Sequence, residues 1–224
     1  MIDLLFGYGI KHWDKLLDAA LGHVRLVSVA VVISFLVSVP LFLIGRKWPK
    51  ARNVIMTVAN VIYTIPSMAL FALLVPFVGL GTAPALIGLI MYNLFIILKN
   101  TNVGFETISP LIIEAGRGVG YDSKQLFLKI ELPLAMPSVW AGLKLSSTMT
   151  VGLASIASIV NGGGIGKLLF EGMKRRYISE IICASLICAI MSVLCNFIFQ
   201  QLENYALDKA QGNLIKKVKA DKKV

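Results

Sequence analysis

The sequence predicts an all-α, polytopic membrane protein with about five transmembrane helices, and three observations carry that prediction. Of the 224 residues 57% are hydrophobic and only 15% charged, and mean hydropathy is +0.78, far from the usage of a water-soluble globule. The charges are clustered, leaving uncharged runs that can be measured against a bilayer whose hydrocarbon takes about 20 residues per helical crossing. Apolar residues run through those stretches without alternation, which favours helices over a barrel.

At the start of the chain Asp3 precedes any basic residue, Asp14 and Asp18 interrupt the apolar run, and no Ala-x-Ala site follows, so a cleavable signal is not expected. Leu5, Phe6, Ile10, Trp13 and Leu17 recur at helical spacing and predict a short interfacial helix over 1–19, with Trp13 near the headgroups. The runs between Arg25 and Arg46 (20 residues), Lys144 and Lys167 (22) and Glu180 and Glu203 (22) each predict one crossing. The 46 uncharged residues between Arg52 and Lys99 are too many for one crossing and are interrupted by Gly79-Leu80-Gly81-Thr82, so they predict a helical hairpin. The expected spans are 25–45, 54–78, 83–98, 138–160 and 180–202. Beyond Leu207 the chain becomes a lysine-rich tail without apolar periodicity, expected to be mobile.

Five crossings put the termini on opposite sides of the membrane. With the C-terminus inside, the inner segments hold fourteen Lys and Arg and the outer ones seven, so basic-residue retention predicts N-terminus outside, C-terminus inside. Lys174-Arg175-Arg176 in an outer loop runs against that trend. The net charge of +10 then sits largely where anionic inner-leaflet lipids lie and requires no nucleic acid. Cys183, Cys188 and Cys195 have no metal-ligand spacing and no nearby histidine; they read as small buried apolar residues, and no metal site is expected.

Asn100 to Pro137 form a 38-residue connection in a chain whose other loops are short, and a long loop usually has a task. It contains Glu114-Ala115-Gly116-Arg117-Gly118-Val119-Gly120, a turn at Tyr121-Asp122-Ser123, and a short helix from Lys124 closed by Leu132-Pro133. Leu126, Phe127 and Ile130 line one side of that helix, with Lys124, Lys129 and Glu131 free to face water. Two short helices around a glycine-rich elbow make a docking element.

At these residues the sequence resembles the permeases of ABC importers. Their cytoplasmic signature is Glu-Ala-Ala, three residues, Gly, nine residues, Ile-x-Leu-Pro. Glu114, Ala115, Gly120, Ile130, Leu132 and Pro133 stand at those positions, and Gly116 replaces the second Ala. Thr64-Ile65-Pro66-Ser67, Gly79-Leu80-Gly81-Thr82, Asn100-Thr101 and Gly163-Gly164-Ile165-Gly166 further resemble the glycine betaine, carnitine and choline (osmoprotectant) uptake systems, over about residues 20–203. The resemblance implies a type I importer permease fold over 20–203, with a coupling loop at 100–137 and a basic cytoplasmic tail at 204–224, in the cell (plasma or inner) membrane. It implies that ABC ATP-binding subunits dock on Glu114, Ala115, Gly116, Gly120, Ile130, Leu132 and Pro133. It also implies a second permease chain, identical or paralogous, and a separate extracytoplasmic substrate-binding protein. ATP would be bound by the partner subunits, with no cofactor in this chain.

Asn161-Gly162-Gly163-Gly164-Ile165-Gly166-Lys167 is not a phosphate loop, because Asn161 and Leu168 stand where Gly and Ser or Thr are required. It reads as an outer turn, either facing a binding protein or purely structural. Pro66 interrupts span 2, and Tyr63, Thr64, Pro66 and Ser67 are candidates for the pathway or its gate, with simple kinked packing the alternative. Lys144 either snorkels to the cytoplasmic interface or faces the pathway. Gly142, Ser146, Gly152, Ala154, Ser155, Ala157 and Ser158 make span 4 a packing or subunit-interface helix. Tyr63, Tyr92 and Trp140 either face a quaternary ammonium or serve as anchors and packing. No catalytic constellation is present: His-Glu-x-x-His, Gly-x-Ser-x-Gly and Asp-rich metal motifs are absent from the sequence. A permease for another small solute such as an amino acid, or a gradient-driven secondary transporter, remains the alternative; the latter leads one to expect internal repeats and ionisable mid-span residues.

Overall fold

The computed structural model describes residues 8–221, with side chains placed through residue 210, and no strand occurs among them. The expected roles of Leu5 and Phe6 in an interfacial helix, and the end of the tail at Lys222 and Lys223, lie outside the described residues. Helices α1 (Trp13–Lys47), α2 (Pro49–Thr64), α3 (Ser67–Val78) and α4 (Thr82–Glu106) carry the first half of the chain. Then come α5 (Pro110–Gly118), α6 (Ser123–Leu126), a π-helical segment (Phe127–Glu131) and α7 (Leu132–Ile156), which runs into a 3₁₀ turn (Ala157–Val160). Helices α8 (Ile165–Arg175) and α9 (Ile178–Asp221) complete it.

Four helical runs are long and apolar enough to span alone, and α2 with α3 makes a fifth, bent by 104°. Contacts at the two ends decide whether that bent pair crosses or turns back. Arg46 bonds Glu131 and Arg52 bonds Glu106, so residues 46, 52, 106 and 131 share one end. At the other end Lys15 bonds Glu180, and the Gly81 N–H donates to the Val160 carbonyl. The chain therefore passes from Arg52 at one end to Gly81 at the other through α2 and α3, which is a full crossing. Five crossings follow, and the described termini lie at opposite ends.

The centre is made by α4 and α7. Half of the apolar window of α4 is buried, against 6% of that of α9, which leaves most of its apolar surface outside the single chain. Leu26, Val27, Ala30 and Val31 of α1 close on Ala85, Leu89 and Ile97 of α4 and on Leu143, Val151 and Ala154 of α7. A Cβ on Gly142 would come within 2.8 Å of Asn100, so glycine is what lets α7 approach α4.

Three expectations change. Among the described residues the expected boundary at 19 is not a break: α1 is continuous from Trp13 and about 52 Å long, longer than the hydrocarbon is thick. No proline or cap interrupts Ala19 to Arg25, and the Lys15 ion pairs tie the first turns of α1 to Glu171 and Glu180. The tail expected to be mobile is helical through Asp221. Once a span has nucleated a helix, Ala, Leu, Gln and Lys extend it at low cost. Finally, Leu132-Pro133 does not close the second loop helix. The Leu132 N–H donates to Phe127 O, five residues back, and Pro133 sits at the second position of α7, so α6, the π segment and α7 form one helical run from Ser123 to Val160.

Candidate functional site: a coupling surface and a broken span

The loop between α4 and α7 folds as a helical hairpin standing off the Arg46 end. Helix α5 starts with Pro110 in its first turn and ends when Val119 N–H reaches Ala115 O (3.1 Å) and Tyr121 N–H reaches Gly116 O (3.1 Å). Gly120 takes φ +92°, a backbone that a side chain rarely adopts, and this reverses the chain. Asp122 then caps α6 reciprocally with Gln125, at 2.8 and 3.2 Å.

Between the two arms Gly116 is buried against Ile130 and Leu126. A Cβ there would lie 2.7 Å from a methyl of each, which accounts for glycine at the position where alanine is expected. The residues expected to couple thus separate into three groups. Gly116 and Ile130 join the arms, Leu132 and Pro133 form the half-buried root, and Glu114, Ala115 and Gly120 face outward. Leu111 (73% exposed), Val119 (67%) and Leu128 (49%) add an apolar surface beside them.

A knot that sequence reasoning missed ties this hairpin to the spans. Arg46 bonds Glu131 and lies 4.9 Å from the Phe127 ring centre and 5.5 Å from that of Phe105. Phe105 and Phe127 are stacked at 5.8 Å, and Phe42 packs on Phe105 at 4.7 Å. In the sequence Arg46 signals only sidedness; nothing local pairs it with a residue 85 positions away.

The second feature is the break in the second span. Helix α2 stops at Thr64 and α3 begins at Ser67, because Pro66 has no N–H to donate and forces Ile65 into an extended conformation (ψ 131°). The freed carbonyls are taken locally: Thr64 Oγ1 donates to Val61 O (2.7 Å), Ile65 N–H to Ile62 O (3.1 Å), and the Tyr92 hydroxyl to Ile65 O. Tyr63 packs on Tyr92 and Phe95, with ring centres 5.8 and 4.7 Å apart. Of the four candidate gate residues, Thr64 and Pro66 are exposed on the single chain and Tyr63 and Ser67 are half buried.

Polar groups also lie deep between the helices. Thr150 Oγ1 stands 2.8 Å from Asn93 Oδ1 and 2.7 Å from Ser146 O, while the buried Asn93 Nδ2 and Ser146 Oγ make no hydrogen bond. Lys144 neither snorkels free nor stands alone: its Nζ bonds Glu203 at 2.6 Å and Gln200 at 2.8 Å on α9. The sequence places Glu203 just past a span ending at 202, but α9 continues, and the carboxylate comes level with the cation.

At the opposite end the glycine-rich segment is a clasp. Ile165 N–H donates to His23 Nδ1 (3.3 Å) and His23 Nε2–H to Val151 O (3.0 Å), joining α1, α7 and α8 through one fully buried ring. A Cβ on Gly164 would sit 2.8 Å from His23 Nδ1, and one on Gly166 2.0 Å from Ser155 O. Lys15 reaches Glu180 (2.6 Å) and Glu171 (3.5 Å) beside it. Tyr8 hydrogen-bonds Glu180, and burial, reinforced by that carboxylate, pushes its pKa upward. The segment therefore has a structural role, and the phosphate-loop reading has no place in it.

Comparison with known proteins gives a consistent picture. The family described as "Binding-protein-dependent transport system inner membrane component" matches residues 42–209. The carnitine transport permease of Listeria monocytogenes is 31% identical, over 93% of this chain and 96% of its own. The glycine betaine/carnitine/choline transport permease of Bacillus subtilis is 29% identical, over 84% and 86%. Among solved structures a chain of the inward-facing MetNI methionine ABC transporter superposes with a TM-score of 0.74 at 19% identity, over 85% of this chain and 95% of that one, a likeness of fold.

Proposed function

The chain belongs to the binding-protein-dependent transport system inner membrane components, the multi-pass permease subunits of ABC importers, and from that premise we propose that it carries solutes bearing a trimethylated nitrogen. Glycine betaine, carnitine and choline, named for the related permeases, share that group. The observation that carries the pathway assignment is the break at Thr64 and Pro66, exposed on the single chain. Non-helical backbone at membrane depth persists only where other protein covers it or water reaches it. A second permease chain facing the break supplies both, so Tyr63, Thr64, Pro66 and Ser67 line the pathway or its gate.

Among the described residues twelve Lys and Arg lie on the Arg46 side of the spans against seven on the other, which makes the Arg46 end cytoplasmic. ATP-binding subunits then dock on the hairpin, with Glu114, Ala115, Gly120, Leu111, Val119 and Leu128 as contact residues. ATP is bound and hydrolysed there rather than in this chain. The hairpin is continuous with α7 and is tied through Arg46 to α1 and α4, so its displacement moves three spans together, the mechanical requirement of alternating access. At the clasp end an extracytoplasmic binding protein delivers the solute.

The test is to purify the tagged chain with its partners, reconstitute it in vesicles and follow ATP-dependent uptake of labelled glycine betaine, carnitine and choline. An ATP-binding subunit co-purifies and at least one of the three is taken up. Uptake of none of them, by a complex that moves another solute, overturns the solute class; recovery without an ATPase even after crosslinking overturns the coupling assignment.

A further inference from the structure

The broken span is bordered by an aromatic wall with a lysine on its cytoplasmic side. Tyr63 lies 4.7 Å from Phe95 with planes 32° apart and meets Tyr92 nearly edge-on at 5.8 Å. The hydroxyl of Tyr92 is held by the Ile65 carbonyl, which fixes that ring against the break itself. Tyr63 and Phe95 are half buried, beside exposed Thr64, Pro66 and Met149, so part of each ring is open on the single chain. Phe95 lies eleven residues before Glu106 at the inner end of α4, about 16 Å along the axis from the Arg52–Glu106 pair.

One helical turn below, Lys99 Nζ stands 5.5 Å from the centre of the Phe95 ring. A cation already rests over this wall, and among the described residues it has no carboxylate partner, whereas Lys144 is neutralised by Glu203. A quaternary ammonium cannot donate a hydrogen bond. In a dry environment it is attracted to π faces and to anions, and this wall offers faces without a carboxylate that would hold the solute too tightly to release.

We infer that Tyr63 and Phe95 form a transit site for the quaternary ammonium head and that Lys99 takes the carboxylate of a zwitterionic solute. The permease itself thereby selects glycine betaine and carnitine over choline, which has no carboxylate and whose charge Lys99 repels. This rests on the trimethylated-solute reading above and adds to it a site and a direction of selectivity.

The experiment uses the reconstituted importer with saturating solute-loaded binding protein, so that delivery affinity does not set the rate, and compares maximal uptake of glycine betaine and choline. Lys99→Gln is expected to lower the glycine betaine to choline ratio about tenfold, through loss of glycine betaine uptake with choline uptake kept or raised. Tyr63→Leu should reduce both, and Tyr63→Phe, which keeps the π face, should restore both. An unchanged ratio in Lys99→Gln, an equal fall for both solutes, or full activity of Tyr63→Leu overturns the site while leaving the solute class standing. Uptake of neither solute by the unaltered importer overturns both. Assembly of each variant with its ATPase is checked by co-purification, and equal loss of activity in Tyr63→Phe and Tyr63→Leu counts against the π-face role.

Discussion

The two ends of the bundle are held together in opposite ways. At the Lys15 end the contacts centre on buried groups: His23 joins two backbone groups at 0% exposure, Glu180 is 1% exposed, and Gly162, Gly164 and Gly166 of one turn leave no room for a Cβ. At the Arg46 end they are at the surface: Arg46 and Glu131 are 38% and 13% exposed, and Arg52 and Glu106 41% and 54%. Buried, fully paired polar contacts resist rearrangement because any displacement strands a donor in a dry interior, whereas exposed pairs exchange with water at a cost of about 0–1 kcal/mol. The first end is a fixed hub, and the second can be pushed without unfolding.

Four substitutions test that contrast, taken from the largest expected effect. Gly166→Ala puts a methyl 2.0 Å from the Ser155 carbonyl and should cost about 3 kcal/mol or more, read as a large fall in thermal midpoint in detergent. A midpoint near that of the unaltered chain would remove the hub. His23→Leu strands the Ile165 N–H and removes the bond that ties α1 to the Val151 carbonyl, which keeps only its Ser155 donor, and should cost about 2–3 kcal/mol, with His23→Gln recovering part of it.

At the other end the outcome is reversed, with function lost and stability kept. Gly120→Asp imposes a side chain on φ +92° in open space, a strain of about 1–2 kcal/mol, but should abolish uptake with the chain inserted at normal level. Normal uptake at normal level would sink the coupling assignment for this turn. The smallest effect is expected from Ser146→Ala. Its buried hydroxyl has no partner, so its removal should be neutral or stabilise by about 1 kcal/mol, and a loss of more than 1 kcal/mol would mean that the hydroxyl is bonded in the assembled importer.

The spans were legible because the bilayer imposes a length and an apolar composition that a linear sequence records directly. The hairpin was legible for a related reason: Glu114 to Pro133 are close in sequence, so spacing carries their geometry. Gly116, which departs from the expected alanine, becomes intelligible only when Ile130 and Leu126 are seen folded over it. The contacts of Arg46 with Glu131, of Lys144 with Glu203 and of His23 with Val151 span 85, 59 and 128 positions, and no local pattern announces any of them.

By itself, then, the sequence determined five crossings, their helical character, the charge asymmetry along them, and a helical hairpin between the third crossing and the last pair. Each of these follows from local chemistry: hydropathy, proline and glycine punctuation, and basic residues at the membrane edge. Tertiary structure alone decided that Pro66 bends its span by 104° instead of kinking it, that the loop helix runs unbroken into α7, and that the glycine-rich turn is a clasp around a buried histidine. Those outcomes depend on which partner satisfies a freed carbonyl, a buried ring or a charge in a dry interior. That partner is supplied by a distant segment brought close only when the helices pack.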